Sequence, residues 1–514
     1  MSGDRIIKKL EEAVGGDNIS ARRLDKGIYS RDLWPRNTML VQLLELPAPP
    51  EVVVWPGNVD EVRAVVNIAR EAGAPLIPMG GGSGVCGGTV TLGDPAVIID
   101  LKRMRRILEL DEKSLTVTAE SGIMGEILER ELNRKGYTMG HFPSSIYCST
   151  YGGWISTRAA GQLSAKYGKI EDMLISVEAV LATGEVVKTR LAPRSATGPD
   201  WNHAFCGAEG TLGIITSATC RIWPSPRSRL FQAFSFPTVE DGLEAVRRMM
   251  QAELRPACVR LYDPVDTFFS KTSKIMPEEE EEEDKRKKAH EHKDRGYWPR
   301  RVLPRLFRPA AINPLMSRLD RSKLILTFEG NDPQLTRLEK SEAKGICART
   351  GGEDLGEAPA AHWWKKRYKV SYTMQVMFDM GFFVDTIEVA TVWDNLSLLY
   401  HGMRRAISKH ALVMAHFSHA YPQGCSIYFS VASTGKNREH KLERYDRVWE
   451  SALDACVRLG GSISHHHGVG VLKSKWLEAE QGGASSFHQA LKNAADPDRI
   501  INPGKLGLGK LQSQ

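Results

Sequence analysis

The sequence contains no C-x-x-C pair, although eight cysteines are scattered along its 514 residues. This spacing predicts reduced thiols in a cytosolic compartment and argues against a zinc site built from thiolates. The N-terminus mixes charges and has no apolar stretch of the kind that a secretory signal needs. No apolar run approaches the roughly 18 residues of a membrane-spanning helix. These absences predict a cytoplasmic protein that is at most peripheral at a membrane.

Basic residues are not clustered with aromatic side chains as they are in nucleic-acid-binding proteins. The formal net charge is +7, and the excess does not follow one helix face. We therefore expect no nucleic-acid partner. An anionic small molecule, a lipid-like substrate or a membrane surface suits this charge. A homodimer is left open.

The order of strand and helix patterns predicts an α+β protein in several parts, as expected for a chain of this length. Strands and helices alternate over residues 50–225, and a second region over residues 226–460 suggests a domain built on an antiparallel sheet. Residues 1–49 form an N-terminal segment, and residues 461–514 are expected to pack back on the first region. The charged insertion 277–310 is typical of a solvated segment, and its arginine-rich, aromatic end leaves a membrane contact open.

The stretch "PLIPMGGGSGVCGGTV" contains a literal G-x-G-x-x-G in Gly82, Gly84 and Gly87. A Rossmann fingerprint needs a helix that opens at the last glycine. Here the chain continues with glycines, β-branched residues and a proline, which are poor helix formers. The glycines therefore predict a loop whose backbone N–H groups turn toward an anion, with a plain glycine turn as the alternative.

Three further stretches are dense in glycine and polar residues: "GHFPSSIYCSTYGGWISTRAAGQLSAKYGKIEDM", "FCGAEGTLGIIT" and "SISHHHGVGVLKSKW". With the glycine loop, they resemble the FAD-linked oxidases of the vanillyl-alcohol oxidase superfamily, and within it the alkylglycerone-phosphate synthases (alkyl-dihydroxyacetonephosphate synthases) and their bacterial relatives. The most specific markers are "STYGGWISTRAAG" and "SISHHHGVG". The resemblance covers the chain from about residue 50 to its end. It implies a two-part FAD-binding domain of the PCMH type with an α+β cap domain.

The resemblance implies non-covalent FAD, because the glycine loop lacks the histidine that often carries a covalent flavin in relatives. The loop would bind the pyrophosphate through backbone amides, and two later segments would line the cofactor. The residues expected to bind FAD are Pro78, Gly80, Gly81, Gly82, Ser83, Gly84, Pro143, Ser144, Ser145, Thr150, Gly152, Gly153, Ser156, Thr157, Glu209, Thr211, Gly213 and Ile215.

The histidine triplet His465, His466 and His467 is the first candidate for catalysis. A histidine exchanges protons near neutrality, and the resemblance makes His466 or His467 the base. In an extended chain, His465 and His467 would face one way and His466 the other. The alternative is that these are hydrogen-bonded residues around the site.

Three more catalytic candidates follow from the resemblance. Arg260 would stabilise a reduced flavin or bind an anionic substrate, with an ordinary ion pair as the alternative. Tyr428 is a candidate proton donor, and His141 is expected near the flavin.

The chain departs from the synthases in "AHFSHAYPQGCSIYF", which lacks the arginine that takes the substrate phosphate in that family. His416 and His419 would replace it when protonated, or the substrate carries no phosphate. A zinc site of His416, His419 and His466 is the alternative, by analogy with dehydrogenase relatives. We expect no metal, because His466 stands where those relatives have glutamate.

The resemblance allows two reactions. In the first, the acyl group of acyl-dihydroxyacetonephosphate is exchanged for a long-chain alcohol through a flavin N5 adduct, a step of ether-lipid biosynthesis. In the second, an FAD-linked dehydrogenase or oxidase takes a hydride from a D-2-hydroxy acid or related alcohol. The triplet favours the first, which we take as the main hypothesis, and the missing arginine favours the second. A non-catalytic scaffold is a third possibility, against which the intact candidate residues argue.

Overall fold

The computed structural model describes residues 3–42, 48–93, 95–272, 307–316, 318–369 and 374–508. The chain divides into two compact units, residues 1–226 with 463–514 and residues 227–462. Of the charged insertion 277–310, residues 277–306 lie outside the described part. Both units combine helices with sheets, so the α+β prediction is confirmed.

The first unit contains two main sheets and a strand pair. The first sheet runs, in spatial order, Ile19–Ser20, Val52–Val54, Val97–Asp100 and Leu76–Met79. Its last three strands are parallel. The antiparallel second sheet runs Ile107–Asp111, Thr116–Glu120, Ile214–Arg221, Leu174–Val180 and Val186–Lys188. Tyr137–Thr138 pairs with Trp223–Pro224.

Helices of the first unit cover its sheets and connect its segments. The helix Val59–Ala72 begins at Asn58, whose side chain accepts the backbone N–H of Glu61 at 2.9 Å, and it ends at Gly73 with a φ of 63°. Its apolar stripe packs on the first sheet, where Val62, Val65 and Ile99 are fully buried. The other α-helices are Gly3–Val14, Arg23–Ile28, Pro35–Gln42, Gly125–Arg134, Tyr151–Ser156, Ser164–Tyr167, Ile170–Met173, Trp201–Phe205, Leu477–Gln481 and Ala484–Ala495, and 3-10 turns span Gly16–Asn18 and Ser474–Trp476.

The second unit is built on one antiparallel sheet of seven strands. Its spatial order is Glu353–Gly356, Ser228–Phe236, Ser322–Gly330, Cys258–Tyr262, Leu412–Ala420, Gly424–Ser433 and Phe383–Val392. The helices of this unit are Val239–Gln251, Pro264–Thr272, Pro309–Met316, Pro333–Arg349, Ala358–Lys366, Met374–Asp379, Trp393–Ile407 and Arg438–Arg458. Thus the expectation of an antiparallel sheet in this region is confirmed.

The two faces of the seven-stranded sheet differ in chemistry. Leu261 faces the helix Val239–Gln251, where a Cβ on Gly242 would lie 2.6 Å from its side chain. Its neighbours Arg260 and Tyr262 point the opposite way, because successive strand residues alternate. The register places His416 opposite Tyr262 and Tyr428 opposite His416. One face therefore carries the predicted polar residues, while the other is apolar.

Candidate active site

The glycine loop contains no helix, as the sequence predicts. Residues 80–93 form bends and turns that lead to the strand Val97–Asp100. Gly82 and Gly87 have φ values of 64° and 75°, which favour glycine. A Rossmann helix is therefore absent from this loop.

The structure brings the three predicted FAD-binding segments together within the first unit. A Cβ on Gly80 would lie 2.1 Å from Thr150 Oγ1, and one on Gly81 would lie 2.0 Å from the Cys148 carbonyl oxygen. Backbone contact this close is open only to glycine. The third segment joins the second because the Glu209 N–H donates to the Ser156 carbonyl at 2.8 Å.

The glycine loop fits the pyrophosphate of FAD. Among the described residues, none accepts a hydrogen bond from the backbone N–H groups of residues 80–84. These residues are half-buried. Because N–H groups at such depth need acceptors, a row of them is suited to an anion. Residues 80–84 therefore fit a pyrophosphate, and the contacts of the other expected residues with FAD stay a prediction.

Four other cofactor candidates occupy different positions. Ser144 is exposed and accepts from Gln162 Nε2 at 3.2 Å. Gly213 and Ile215 are buried at the start of the strand Ile214–Arg221, and Thr211 Oγ1 donates to the Ala208 carbonyl at 2.7 Å. The hydrogen bonds of Ser144 and Thr211 thus join protein groups to one another. Direct FAD binding by side chains of this third segment stays a prediction.

The histidine triplet does not have the extended geometry that the sequence analysis assumes. Residues 465–467 form three consecutive bends. Nδ1 of His465 lies 2.9 Å from Nδ1 of His466, and the rings of His466 and His467 are 4.5 Å apart between centroids. Alternation to opposite sides is therefore wrong. Because the backbone bends, neighbouring rings contact one another and form one cluster.

Buried charged side chains hold the loop that carries the triplet. The Glu209 carboxylate accepts the N–H of Val469 at 2.5 Å and that of Gly470 at 2.8 Å. Lys169 Nζ donates to the His465 carbonyl at 2.6 Å. Burial raises the pKa of Glu209, while the two N–H groups and nearby lysines oppose that shift. The Glu209 side chain therefore holds the turn after the triplet in place through these hydrogen bonds.

His141 is completely buried beside Trp154, with 4.7 Å between ring centroids. Neither of its ring nitrogens has a hydrogen-bond partner among the described residues. Burial, assisted by the charge of Lys169, lowers the pKa of His141 to about 3. The ring is therefore neutral near pH 7, which favours packing over proton transfer. A catalytic role for it stays a prediction.

The second unit places Arg260, His416 and Tyr428 in one cluster. His416 Nδ1 lies 3.3 Å from Arg260 Nη2 and 3.1 Å from Asp266 Oδ2. The His416 ring stacks on Tyr428 at 4.7 Å between centroids, with 23° between the planes. Among the described residues, Arg260 Nε has no acceptor and no carboxylate lies within ion-pair distance of Arg260. Among the described residues, Arg260 therefore does not form an ordinary ion pair.

The electrostatics of this cluster favour the neutral form of His416. Burial, together with the charge of Arg260, holds the pKa of His416 well below its ordinary value. The lowered pKa argues against a protonated His416 in place of the missing arginine, and the same role for His419 stays a prediction. Burial also raises the pKa of Tyr428, so its hydroxyl keeps its proton near neutrality. A hydroxyl that keeps its proton can act as a proton donor, as expected for Tyr428.

The histidines considered as metal ligands belong to different units. His416 and His419 lie in residues 227–462, and His466 lies in the other unit. His419 occupies a β-bulge with a φ of 55°, unusual for a residue with a side chain. His416 is engaged through Nδ1 by Arg260 and Asp266. The expectation of no metal stays a prediction.

Sequence reasoning missed the contribution of the N-terminal segment. The Leu33 N–H donates to the Gly84 carbonyl at 2.9 Å, and a Cβ on Gly87 would lie 2.9 Å from the Trp34 ring. Buried Asp32 accepts the Trp34 N–H at 3.1 Å, and burial raises its pKa to about 6. Local sequence patterns could not predict the contact between residues 32–34 and the glycine loop, because the two segments are far apart in the chain.

Two family patterns match the chain. The family pattern described as "FAD binding domain" matches residues 50–190, and that described as "FAD linked oxidases, C-terminal domain" matches residues 225–506. The chain belongs to the FAD-linked oxidase family. FAD as cofactor and the PCMH-type fold are thereby confirmed.

Individual relatives include both enzyme types weighed above. The chain is 31% identical to alkyldihydroxyacetonephosphate synthase of Dictyostelium discoideum, over 98% of this chain and 80% of the relative. It is 26% identical to glycolate oxidase subunit GlcD of Bacillus subtilis (strain 168), over 98% and 96%. A solved structure of an alkyldihydroxyacetonephosphate synthase superposes with a TM-score of 0.77 at 27% identity, covering 98% of this chain and 85% of the other. Among the described helices, none is long and apolar enough to span a bilayer.

Proposed function

We propose that this flavoprotein exchanges the acyl group of an acyl-dihydroxyacetonephosphate for a long-chain alcohol. The observation that carries the proposal is the histidine triplet, whose rings contact one another in a turn seated by Glu209 and Lys169. The similarity to a named synthase over 98% of the chain supports the same reaction.

The proposed reaction has no net redox change, and it requires one proton transfer. The acyloxy group leaves the substrate as a carboxylate, and the alcohol oxygen forms the new ether bond. The alcohol must lose its proton as that bond forms. His466 or His467 accepts this proton, and the neighbouring imidazole provides a second site for it. Bound FAD supplies a ring that can take up and return an electron pair within one turnover.

In this proposal Tyr428 and Arg260 act on the ketone phosphate. The buried Tyr428 hydroxyl retains its proton and can donate a hydrogen bond to a developing oxyanion. Arg260 holds a permanent positive charge that no described carboxylate neutralises at ion-pair distance. Both residues therefore favour a substrate that gains negative charge during the reaction.

The decisive test is an anaerobic incubation of the purified holoenzyme with acyl-dihydroxyacetonephosphate and ¹⁸O-labelled hexadecanol. We expect one ether product and one released carboxylate per turnover, with the label in the ether and no reduced flavin accumulating. Ether formation that requires an electron acceptor, or no ether at all, would overturn the proposal.

A hydroxy-acid oxidoreductase is the second candidate, and one observation favours it. The strands Leu412–Ala420 and Gly424–Ser433 contain no lysine or arginine, and the pKa of His416 lies well below its ordinary value. The strand paired with that of Arg260 on this side and the strand beyond it thus offer no lysine or arginine to a phosphate. Addition of D-2-hydroxy acids without oxygen tests this candidate, because a substrate would bleach the flavin absorbance.

Two variants test the residue roles in either reaction. His467→Ala and Tyr428→Phe should retain FAD, because neither belongs to the glycine loop, and should lose most turnover. The absorbance ratio of flavin to protein and the turnover number are measured together. Full activity in both variants would remove the assignments.

A further inference from the structure

The glycine loop contacts the turn that follows the histidine triplet, residues 468–472. The backbone N–H groups of Val471 and Leu472 both donate to the Cys86 carbonyl, at 3.0 Å and 3.1 Å. A Cβ on Gly470 would lie 2.1 Å from the same carbonyl oxygen. Gly470 also has a φ of 54°, which favours glycine. The glycine loop and the turn after the triplet are therefore packed backbone against backbone.

The side chain of Asn502 joins the glycine loop to the third segment. Its Nδ2 donates to the Gly88 carbonyl at 3.0 Å and to the Glu209 carbonyl at 2.7 Å. A side-chain amide nitrogen carries two N–H groups, so both donors are used. The backbone N–H of Asn502 donates to the Leu76 carbonyl at 2.9 Å. One buried residue thus ties the glycine loop to Glu209 and to the first sheet.

Two residues that follow Asn502 make contacts of the same kind. Lys505 is fully buried, and its Nζ donates to the Val90 carbonyl at 2.8 Å. The Leu506 N–H donates to the Gly470 carbonyl at 3.3 Å. Residues 502–506 therefore bridge the glycine loop and the turn after the triplet.

Asn502 and Glu209 both have an unusual backbone conformation. Their φ values are 43° and 48°, in the left-handed region that residues with a side chain rarely adopt. Such conformations persist only where the surrounding contacts fix them. The Asn502 side chain holds Glu209 through its carbonyl, and the Glu209 carboxylate holds the N–H groups of Val469 and Gly470. Loss of the Asn502 side chain therefore loosens Glu209 and, through it, the turn.

We propose that Asn502 is a positioning residue that couples FAD binding to the geometry of the turn after the histidine triplet. FAD bound at residues 80–84 restricts the same short loop that carries Cys86 and Gly88. A loop already ordered by FAD costs less to order against the turn, so each event favours the other. The coupling is reciprocal, because FAD slows opening of the turn and a disturbed turn weakens FAD binding. This inference requires FAD as the cofactor, but it is independent of the reaction that the triplet performs.

The first experiment measures the FAD dissociation constant by ultrafiltration of diluted holoenzyme. Asn502→Gly removes both side-chain hydrogen bonds but keeps the backbone conformation, because glycine adopts a left-handed φ freely. Arg499→Gly is the matched control, since Arg499 has a φ of 55° and an exposed side chain. Coupling between sites typically changes affinity about five- to 150-fold, so Asn502→Gly should bind FAD at least about fivefold more weakly than the control. Equal FAD affinity in these two variants would overturn the proposal.

A second pair of variants disturbs the turn itself, outside the glycine loop. Gly470→Ala places a methyl group against the Cys86 carbonyl. Gly482→Ala is the matched control, because Gly482 has the same φ of 54° and a Cβ there meets nothing within 4 Å. We expect weaker FAD binding in Gly470→Ala than in Gly482→Ala. The same FAD affinity in both would show that the turn and the cofactor are not coupled.

Hydrogen exchange in the holoenzyme separates coupling from a merely structural role. In wild type, the Val471 and Leu472 amides should exchange more slowly as free FAD is raised, and the amides of Val65 and Val66 should change less. In Asn502→Gly this difference should shrink. A residue that only stabilised the fold would lower the protection of all four amides alike and leave their FAD dependence unchanged, which would overturn the proposal. Failure of the ether-formation test leaves these measurements unaffected, so it counts against the proposed function alone.

Discussion

Replacement of His141 by phenylalanine should remove part of the acid sensitivity of the protein. His141 is completely buried, and its pKa falls from 6.5 to about 3 in the folded protein. In the unfolded chain the ring takes up a proton near its ordinary pKa. Between these values the unfolded state binds more protons, so the free energy of unfolding falls as the pH falls.

The size of the effect follows from the shift. Each pH unit within this window contributes about 1.4 kcal/mol for one complete proton. Between about pH 6.5 and pH 4.5, His141 should therefore lower the free energy of unfolding by about 2–3 kcal/mol. His141→Phe keeps a ring against Trp154 and has no proton to bind. At neutral pH the variant also avoids two buried ring nitrogens that have no partner among the described residues.

The assay is urea unfolding of wild type and variant across this pH range, followed by tryptophan fluorescence. Subtracting the two profiles cancels the groups that both proteins share. The difference should change by about 2–3 kcal/mol in favour of the variant on acidification. Parallel profiles would refute the burial argument. Flavin content is recorded separately, because its loss would indicate that His141 contacts the cofactor.

Three other substitutions test the packing around the site. Gly81→Ala should lower flavin content, because a methyl group would lie 2.0 Å from the Cys148 carbonyl, whereas Gly16→Ala meets nothing within 4 Å and should not. Glu209→Gln should cost about 2–4 kcal/mol of stability and speed hydrogen exchange at the Val469 and Gly470 amides. Unchanged exchange would contradict the role of Glu209 in holding the turn after the triplet. Lys492→Met leaves the buried Asp496 without its cation and should cost about 3–5 kcal/mol in urea unfolding, while Lys492→Met with Asp496→Asn should cost less.

Local features of the sequence predicted the backbone of the glycine loop and its neighbourhood. Glycine and β-branched residues after Gly87 excluded a Rossmann helix, because they are poor helix formers, and the structure has a loop and a strand there. Asn58 caps the helix Val59–Ala72, as its short polar side chain favours. The resemblance, rather than local pattern, supplied FAD and the three segments that meet around Thr150 and Glu209.

Contacts between distant residues decided what local patterns could not. The triplet bends where an extended chain would alternate, and Glu209 and Lys169 hold this loop from more than 250 residues away. Tyr262, His416 and Tyr428 become neighbours through strand register, and burial lowers the pKa of His416. Sequence alone thus determined which segments are strands, helices and glycine turns, since backbone preference is local. Only the tertiary structure decided which charges become neighbours and which are desolvated, because both depend on residues brought together by folding.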